Sequence, residues 1–314
     1  MYIVPYDPNV LQEVVGEWLK QIHVDVVQGA VVKSIDTNER RITGLALETS
    51  DGVHPVSVRS VIDATGNSAI AAMAGEAMMR EPAYQSAAQV FRIAGIPSVE
   101  AFTLSLAISK AMLRDGDGFP DSYRRLTLVP GSLHGGQVDL KLPLPHTVDD
   151  NEDSIASISA DMQTTIPSVV AWLRDHVQLL NNTSLTQIFP RVGVRVRQRP
   201  HGKQVLTEAD VMTVKRQPDG IAVGTWPIEE WDYAGKVSMK YFELDRGYDI
   251  AAGCLRAQNT VNLYYAGKCI SATTAAIASA RVMGTCLQTG FAAGRLAVDD
   301  SAHTLQLLRH ELVR

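Results

Sequence analysis

Residues 262–296 read NLYYAGKCISATTAAIASARVMGTCLQTGFAAGRL. An apolar strand runs into a turn at Gly267 and then into a helix almost free of bulky side chains. Gly, Ala, Ser and Thr leave room for a backbone to approach a flat or anionic ligand. The helix start adds N–H groups that have no partner within the helix. Arg281-Val282-Met283-Gly284-Thr285-Cys286 reads as a break between two helices. The second helix is expected to begin near Gly284, with its positive dipole end aimed at the crevice. Gly290 and Gly294 lie one turn apart, a spacing that suits close packing more than ligand contact.

A second segment of the same kind is SVIDATG (60–66), followed by NSAIAAMAG (67–75). Its apolar, β-branched run turns sharply at Gly66. That pattern suits a parallel strand buried on both faces whose carboxyl end opens on a ligand crevice. Alone it is weak, because a strand followed by a Gly turn is common. Together, the two segments predict two parallel strands ending in small-residue turns at one crevice. Lys268 then lies near phosphate or ribose, a solvated surface lysine being the alternative.

Outward from these segments the chain alternates patterns. Residues 7–22 predict a helix capped by Asp7, with Pro8 in its first turn and an apolar stripe through Val10, Leu11, Val14, Val15, Trp18, Leu19 and Ile22. VDVV (24–27), AVVKSID (30–36), RITGLALET (41–49) and VHPVSVRS (53–60) read as short half-buried strands of an antiparallel meander. In the middle, strands are expected at 86–94, 126–130 and 137–145 and a helix near 98–114. The acidic VDDNED (148–153) opens a second helix to about His176, broken at Pro167. SLTQIFPRVGVRVRQR (184–199) mixes strand character with a basic tail, and Thr207 caps TEADVM (207–212). The domain reading is 1–84 with 250–314 as one discontinuous domain, and 85–249 as an inserted α+β substrate or cap domain.

The 314 residues allow a sizeable core. A net charge of −5 gives no electrostatic reason for nucleic acid or an anionic membrane as partner. No apolar run is long enough to span a bilayer, and the opening MYIVPYDPNV reads as no signal peptide. Cys254, Cys269 and Cys286 share no metal spacing, so no metal is expected. Their odd, small number points to a reducing, cytoplasmic setting.

Four segments in order carry a resemblance: PYDPNVLQEVVGEWL, VIDATGNSAIAAMAG, GVRVRQRPHGKQVLTEADV and YYAGKCISATTAAIASARVMGTC. Together the chain resembles the FAD-dependent oxidoreductases of the glutathione-reductase-like two-domain flavoproteins over nearly all its length. The resemblance implies an α/β fold: an incomplete Rossmann-like FAD-binding domain, with parallel sheet and meander, holding the inserted domain. It implies FAD as cofactor, with Thr65 and Gly66 near the pyrophosphate and adenosine and Val31 or Val32 touching adenine. Gly267 and Lys268 would border ribityl and phosphate, and Val282, Met283, Gly284 and Thr285 the flavin ring. Arg195 and Arg199 match the family's paired arginines, for an anionic substrate or for a structural ion pair.

Two departures stand out. No G-x-G-x-x-G occurs near residue 1, where relatives carry a Gly-rich strand and turn. A second polypeptide is therefore expected to supply that half, making a hetero-oligomeric split flavoenzyme; a longer reading frame would look the same. Thr274 and Ala275 stand where relatives have His and Glu, which leaves His201, Tyr248, Asp249 and Glu229 as acid–base candidates. Two functions follow. One is hydride transfer between FAD and a small polar or anionic metabolite. The other is a non-catalytic assembly subunit that no longer binds flavin.

Overall fold

The computed structural model describes residues 6–81, 84–115, 119, 125–145, 148–149, 152–232, 236–243 and 245–312. Residues 1–5 of the opening segment and Asp150 and Asn151 of the acidic turn lie outside them. Helix α1 (Pro8–Gln21) forms as its sequence dictates: the Asp7 carboxylate accepts from the N–H of Asn9 at 2.8 Å and Val10 at 3.3 Å. Its apolar stripe is not buried, however, and Trp18 is 61% exposed. The expected strand at 24–27 is irregular chain, because no neighbour among the described residues takes its ladder hydrogen bonds.

The meander is present as β1 (Val31–Asn38), β2 (Arg41–Thr49) and β3 (Gly52–Ser57), antiparallel in that order. Half-buried alternation was expected throughout. Instead β3 is exposed along its whole length, since nothing among the described residues covers it. Strand β4 (Val61–Asp63) then leads into the short helix α2 (Ala69–Met73). Val61 and Asp63 are buried while Ile62 is 38% exposed, so β4 is covered on one face rather than both.

Strand β5 (Met78–Met79) precedes the middle block: β6 (Ala88–Ala94), α3 (Ala101–Asp115), β7 (Thr127–Leu128), β8 (Gln137–Pro143), α4 (Glu152–His176) and β9 (Ser184–Ile188). The four strands form an antiparallel sheet in the order β7-β8-β6-β9. Helix α3, through Leu104, Ile108 and Ala111, and helix α4 pack in one core with Phe91, Ile93, Leu140 and Leu142, these four inaccessible to solvent. The break expected at Pro167 does not occur. Met162, Ile166, Val169, Val170 and Leu173 are buried around it, and that burial outweighs the ~3 kcal/mol a helix-interior proline costs.

The chain returns through β10 (Arg199–Pro200), paired with β5, and α5 (Glu208–Met212). Thr207 and Asp210 cap α5 reciprocally. Strands β11 (Gly220–Gly224), β12 (Ile228–Trp231), β13 (Val237–Lys240) and β14 (Tyr248–Ala251) make two antiparallel pairs, β11 with β14 and β12 with β13. Last come β15 (Leu263–Tyr265), α6 (Thr274–Ala280), α7 (Met283–Val298) and α8 (Ala302–Leu312). Residues of β11 and β14 share a core with α6, α7 and α8. The result is a mixed α/β structure with several small sheets. No helix among the described residues is long and apolar enough to cross a membrane.

Candidate functional site

The two segments singled out in the sequence meet. Strands β4 and β15 pair in parallel, with Leu263 opposite Val61, Tyr264 opposite Ile62 and Tyr265 opposite Asp63. Both then turn at a glycine in the left-handed region, Gly66 at φ 78° and Gly267 at φ 59°, where a side chain would be strained. The N–H of Ala266 donates to the Asp63 carbonyl at 3.1 Å, which ties the two turns side by side.

Buried Asp63 organises the first turn. One carboxylate oxygen accepts from the Thr65 hydroxyl at 2.6 Å and the Thr65 N–H at 3.1 Å; the other accepts from the Ala71 N–H at 2.9 Å. The Gly66 N–H donates to Cys269 Sγ at 3.0 Å. Burial pushes the Cys269 thiol up to about 11, so it stays protonated and structural. Sequence reading missed the role of Asp63; the signal was an acid standing alone in an apolar strand.

Behind the second turn lies the start of α7. The Gly267 N–H donates to Thr289 Oγ1 at 3.1 Å, and a Cβ at Gly267 would meet only Cys286, its Sγ at 3.7 Å. The helix break falls where the sequence placed it, between α6 and α7. Val282 provides no side-chain cap, the first turn holds no acid, and a Cβ at Gly284 would meet nothing within 4 Å. The Tyr6 hydroxyl reaches Met283 Sδ at 2.9 Å, but the helix start is uncapped and suited to negative charge.

The remaining candidates separate. Lys268 lies against the first turn, its Nζ 3.3 Å from where a Cβ on Gly66 would stand, but it donates to the Val194 carbonyl at 2.9 Å. Its burial, and secondarily Arg281 and Arg197 nearby, lower its pKa. Val31 is 60% exposed at the edge of the meander, while Val32 packs near Val61 and Leu263. Tyr248 is fully buried in the C-terminal core with its hydroxyl 2.7 Å from Ser279 Oγ, outside the crevice. The His201 N–H donates to the Ala77 carbonyl beside β5. Asp249 accepts from the Gln217 N–H and pairs with Arg216 at 3.1 Å. Arg199, 1% exposed, donates to the Ala272 carbonyl and Thr274 Oγ1, both at 2.8 Å, and to the Arg197 carbonyl. It clamps backbone. A cleft of about 690 Å³ bordered by Arg216, Asp249 and His303 is lined by the start of β11 and by α8 and includes none of the crevice residues.

A model of the FAD dependent oxidoreductase family matches residues 1–309. The chain belongs to this family. Its cofactor is FAD, and the two glycine turns and the uncapped start of α7 fit such a group. Nothing among curated proteins matches the chain. Solved structures to which it is similar include CmlS, a flavin-dependent halogenase (12% identity, TM-score 0.45, 96% of this chain and 40% of that one). Another is the myxobacterial chondrochloren halogenase CndH (11%, 0.44, 96% and 54%). A third is a geranylgeranyl bacteriochlorophyll reductase-like protein from Thermoplasma acidophilum (11%, 0.42, 96% and 58%). The chain thus spans about half the length of these structures, and the family assignment rests on the family match alone.

Proposed function

We propose that this chain forms the floor and one wall of an FAD site in an enzyme that transfers hydride between FAD and a small polar or anionic metabolite. A Gly-rich segment on another polypeptide completes the site. In this reading residues 1–84 and 250–314 belong to an incomplete Rossmann-like FAD-binding domain and 85–249 to the substrate block. The single observation that carries it is the parallel meeting of β4 and β15 in turns at Gly66 and Gly267 beside the uncapped start of α7. The completing segment is supported by the two-stranded parallel sheet, with exposed Ile62 on β4 and an exposed apolar stripe on α1. Apolar strands with an open edge take partners.

FAD, when bound, supplies the ring that accepts or returns hydride. Thr65 and Gly66 would border its pyrophosphate and Gly267 its ribityl chain, with Lys268 adding positive charge nearby. Val282 to Thr285 would face the ring, where the N-terminus of α7 favours negative charge. Asp63 holds Thr65 and the α2 start rigid, so the first turn presents one geometry.

One observation favours the second reading, a non-catalytic assembly subunit. Thr274 Oγ1 is held between Arg199 Nη2 and Glu81 Oε1, each at 2.8 Å, so no free acid–base group stands at that position. The visible absorption spectrum of the native protein, purified with whatever accompanies it, separates the two. A flavin band in proportion to the chain supports the enzyme; a folded, colourless complex supports the assembly subunit. A folded, flavin-loaded chain with no companion overturns the partner.

A further inference from the structure

Three cations from separate parts of the chain converge around Trp231 and Glu229. The guanidinium of Arg195 lies 4.7 Å from the centre of the Trp231 ring, and the Lys141 ammonium lies 5.4 Å from it. Arg281, at the end of α6 and two residues before α7, donates to the Glu229 carbonyl at 3.4 Å. Its Nε is buried and has no partner among the described residues. Glu229 is the carboxylate that acts on all three cations. Its oxygens are already taken by two indoles, Trp231 Nε1 at 2.6 Å and Trp226 Nε1 at 3.0 Å. Three charges thus face one acid, each of whose oxygens already accepts from an indole. Beside them Ser86, inaccessible to solvent, accepts from Arg195 through its carbonyl while its hydroxyl has no partner among the described residues. Neighbouring Gln85, 7% exposed, has both side-chain amide atoms unpartnered there.

A half-buried excess of positive charge is costly unless an anion joins it. Burial lowers the Lys141 pKa, with Arg195 contributing, and lowers Arg195 to about 10; burial lowers Arg281 as well. Both arginines keep their charge at neutral pH. Glu229 stays ionised: burial opposes this, but the Trp231 hydrogen bond, the Arg281 charge and the Trp226 hydrogen bond prevail. Arginine presents a planar fork that matches a carboxylate, the amide and hydroxyl supply neutral donors, and the indole face excludes water.

We infer that Lys141, Arg195 and Arg281, with Ser86 and Gln85, form a binding site for a small carboxylate. The site lies between the middle sheet and the start of α7. It rests on the proposed flavin reading only in making this carboxylate the enzyme's substrate. The anion site itself stands on the charges and the unpartnered donors.

Calorimetric titration of the purified full chain, with any companion it retains, tests the inference. The probes are malonate, acetate and the neutral isostere malonamide at low ionic strength. Saturable binding of one malonate or acetate per chain is expected, with none for malonamide. Lys141→Gln and Arg281→Gln should each weaken binding about 10-fold or more, the scale of one charge-assisted hydrogen bond, while circular dichroism stays unchanged. Absence of saturable carboxylate binding to the folded wild type, or unchanged affinity in both folded variants, overturns the site. The flavin band reads the other proposal independently. A colourless chain that binds malonate retains the site and removes the enzyme; a yellow chain that does not bind removes the site alone.

Discussion

The middle block and the crevice region solve the same packing problem to different degrees. In the middle block, strands β6 and β8 pair along seven residues each, and helices α3 and α4 cover the sheet, so Phe91, Ile93 and Leu140 see no solvent. In the crevice region the parallel sheet has two strands of three residues, β3 is exposed throughout, and Trp18 and Ile62 remain accessible. One region closes a core from its own sequence, although Phe102 and Leu113 on α3 stay exposed. The other holds its turns rigid through polar bonds while leaving apolar faces and an open helix start. A self-contained core is built for stability; a polar-braced, open region is built to receive something.

The sharpest way to break this comparison is Leu140→Ala. It should destabilise the chain by about 2–5 kcal/mol by leaving a cavity in the closed core, read as a shift in the urea midpoint, without altering flavin retention per folded molecule. An unchanged midpoint would show that the middle core is looser than its burial implies. Next, Asp63→Ala removes the acceptor of four hydrogen bonds and should cost about 2–3 kcal/mol; unlike Leu140→Ala it should also lower the flavin content of the folded protein. Gly267→Val forces a β-branched residue into left-handed backbone at a cost of about 1–2 kcal/mol. Here the loss of flavin absorbance should exceed what the loss of stability explains.

Smaller effects sharpen the contrast. Tyr248→Phe removes a buried hydroxyl bonded to Ser279 and should cost about 1 kcal/mol with no change in flavin content or turnover. A large loss of turnover would return Tyr248 to the active site. Trp18→Ala should change the stability of the isolated chain by less than about 0.5 kcal/mol, as exposed side chains do. Gel filtration of the native assembly should nonetheless show weakened association if α1 faces the completing segment.

Much of the crevice was legible because its signals are local. A strand that ends in glycine, a run of small residues and an aspartate ahead of proline each act through their own backbone. The turns at Gly66 and Gly267, the α6–α7 break and the Asp7 cap accordingly lie where the sequence placed them. Three readings failed for one reason: the strand at 24–27, the alternation of β3 and the two-sided burial of β4 depend on neighbours, which the pattern of a single segment does not record. Pro167 failed in the opposite sense, because tertiary burial overrode a local breaker. The cation cluster was half visible. Arg195 came from the paired-arginine segment, but Lys141 looked like one charge in an apolar strand and Arg281 like a helix end.

The sequence carried the family match, and with it the cofactor type, and it placed the two glycine turns, since a turn depends on residue type and short spacing. Only the tertiary structure decided which arginine is a clamp and which joins a charged cluster. Arg199 and Arg195 are four residues apart and chemically identical. The carbonyls around one and the cations around the other come from strands and helices that folding alone brings together.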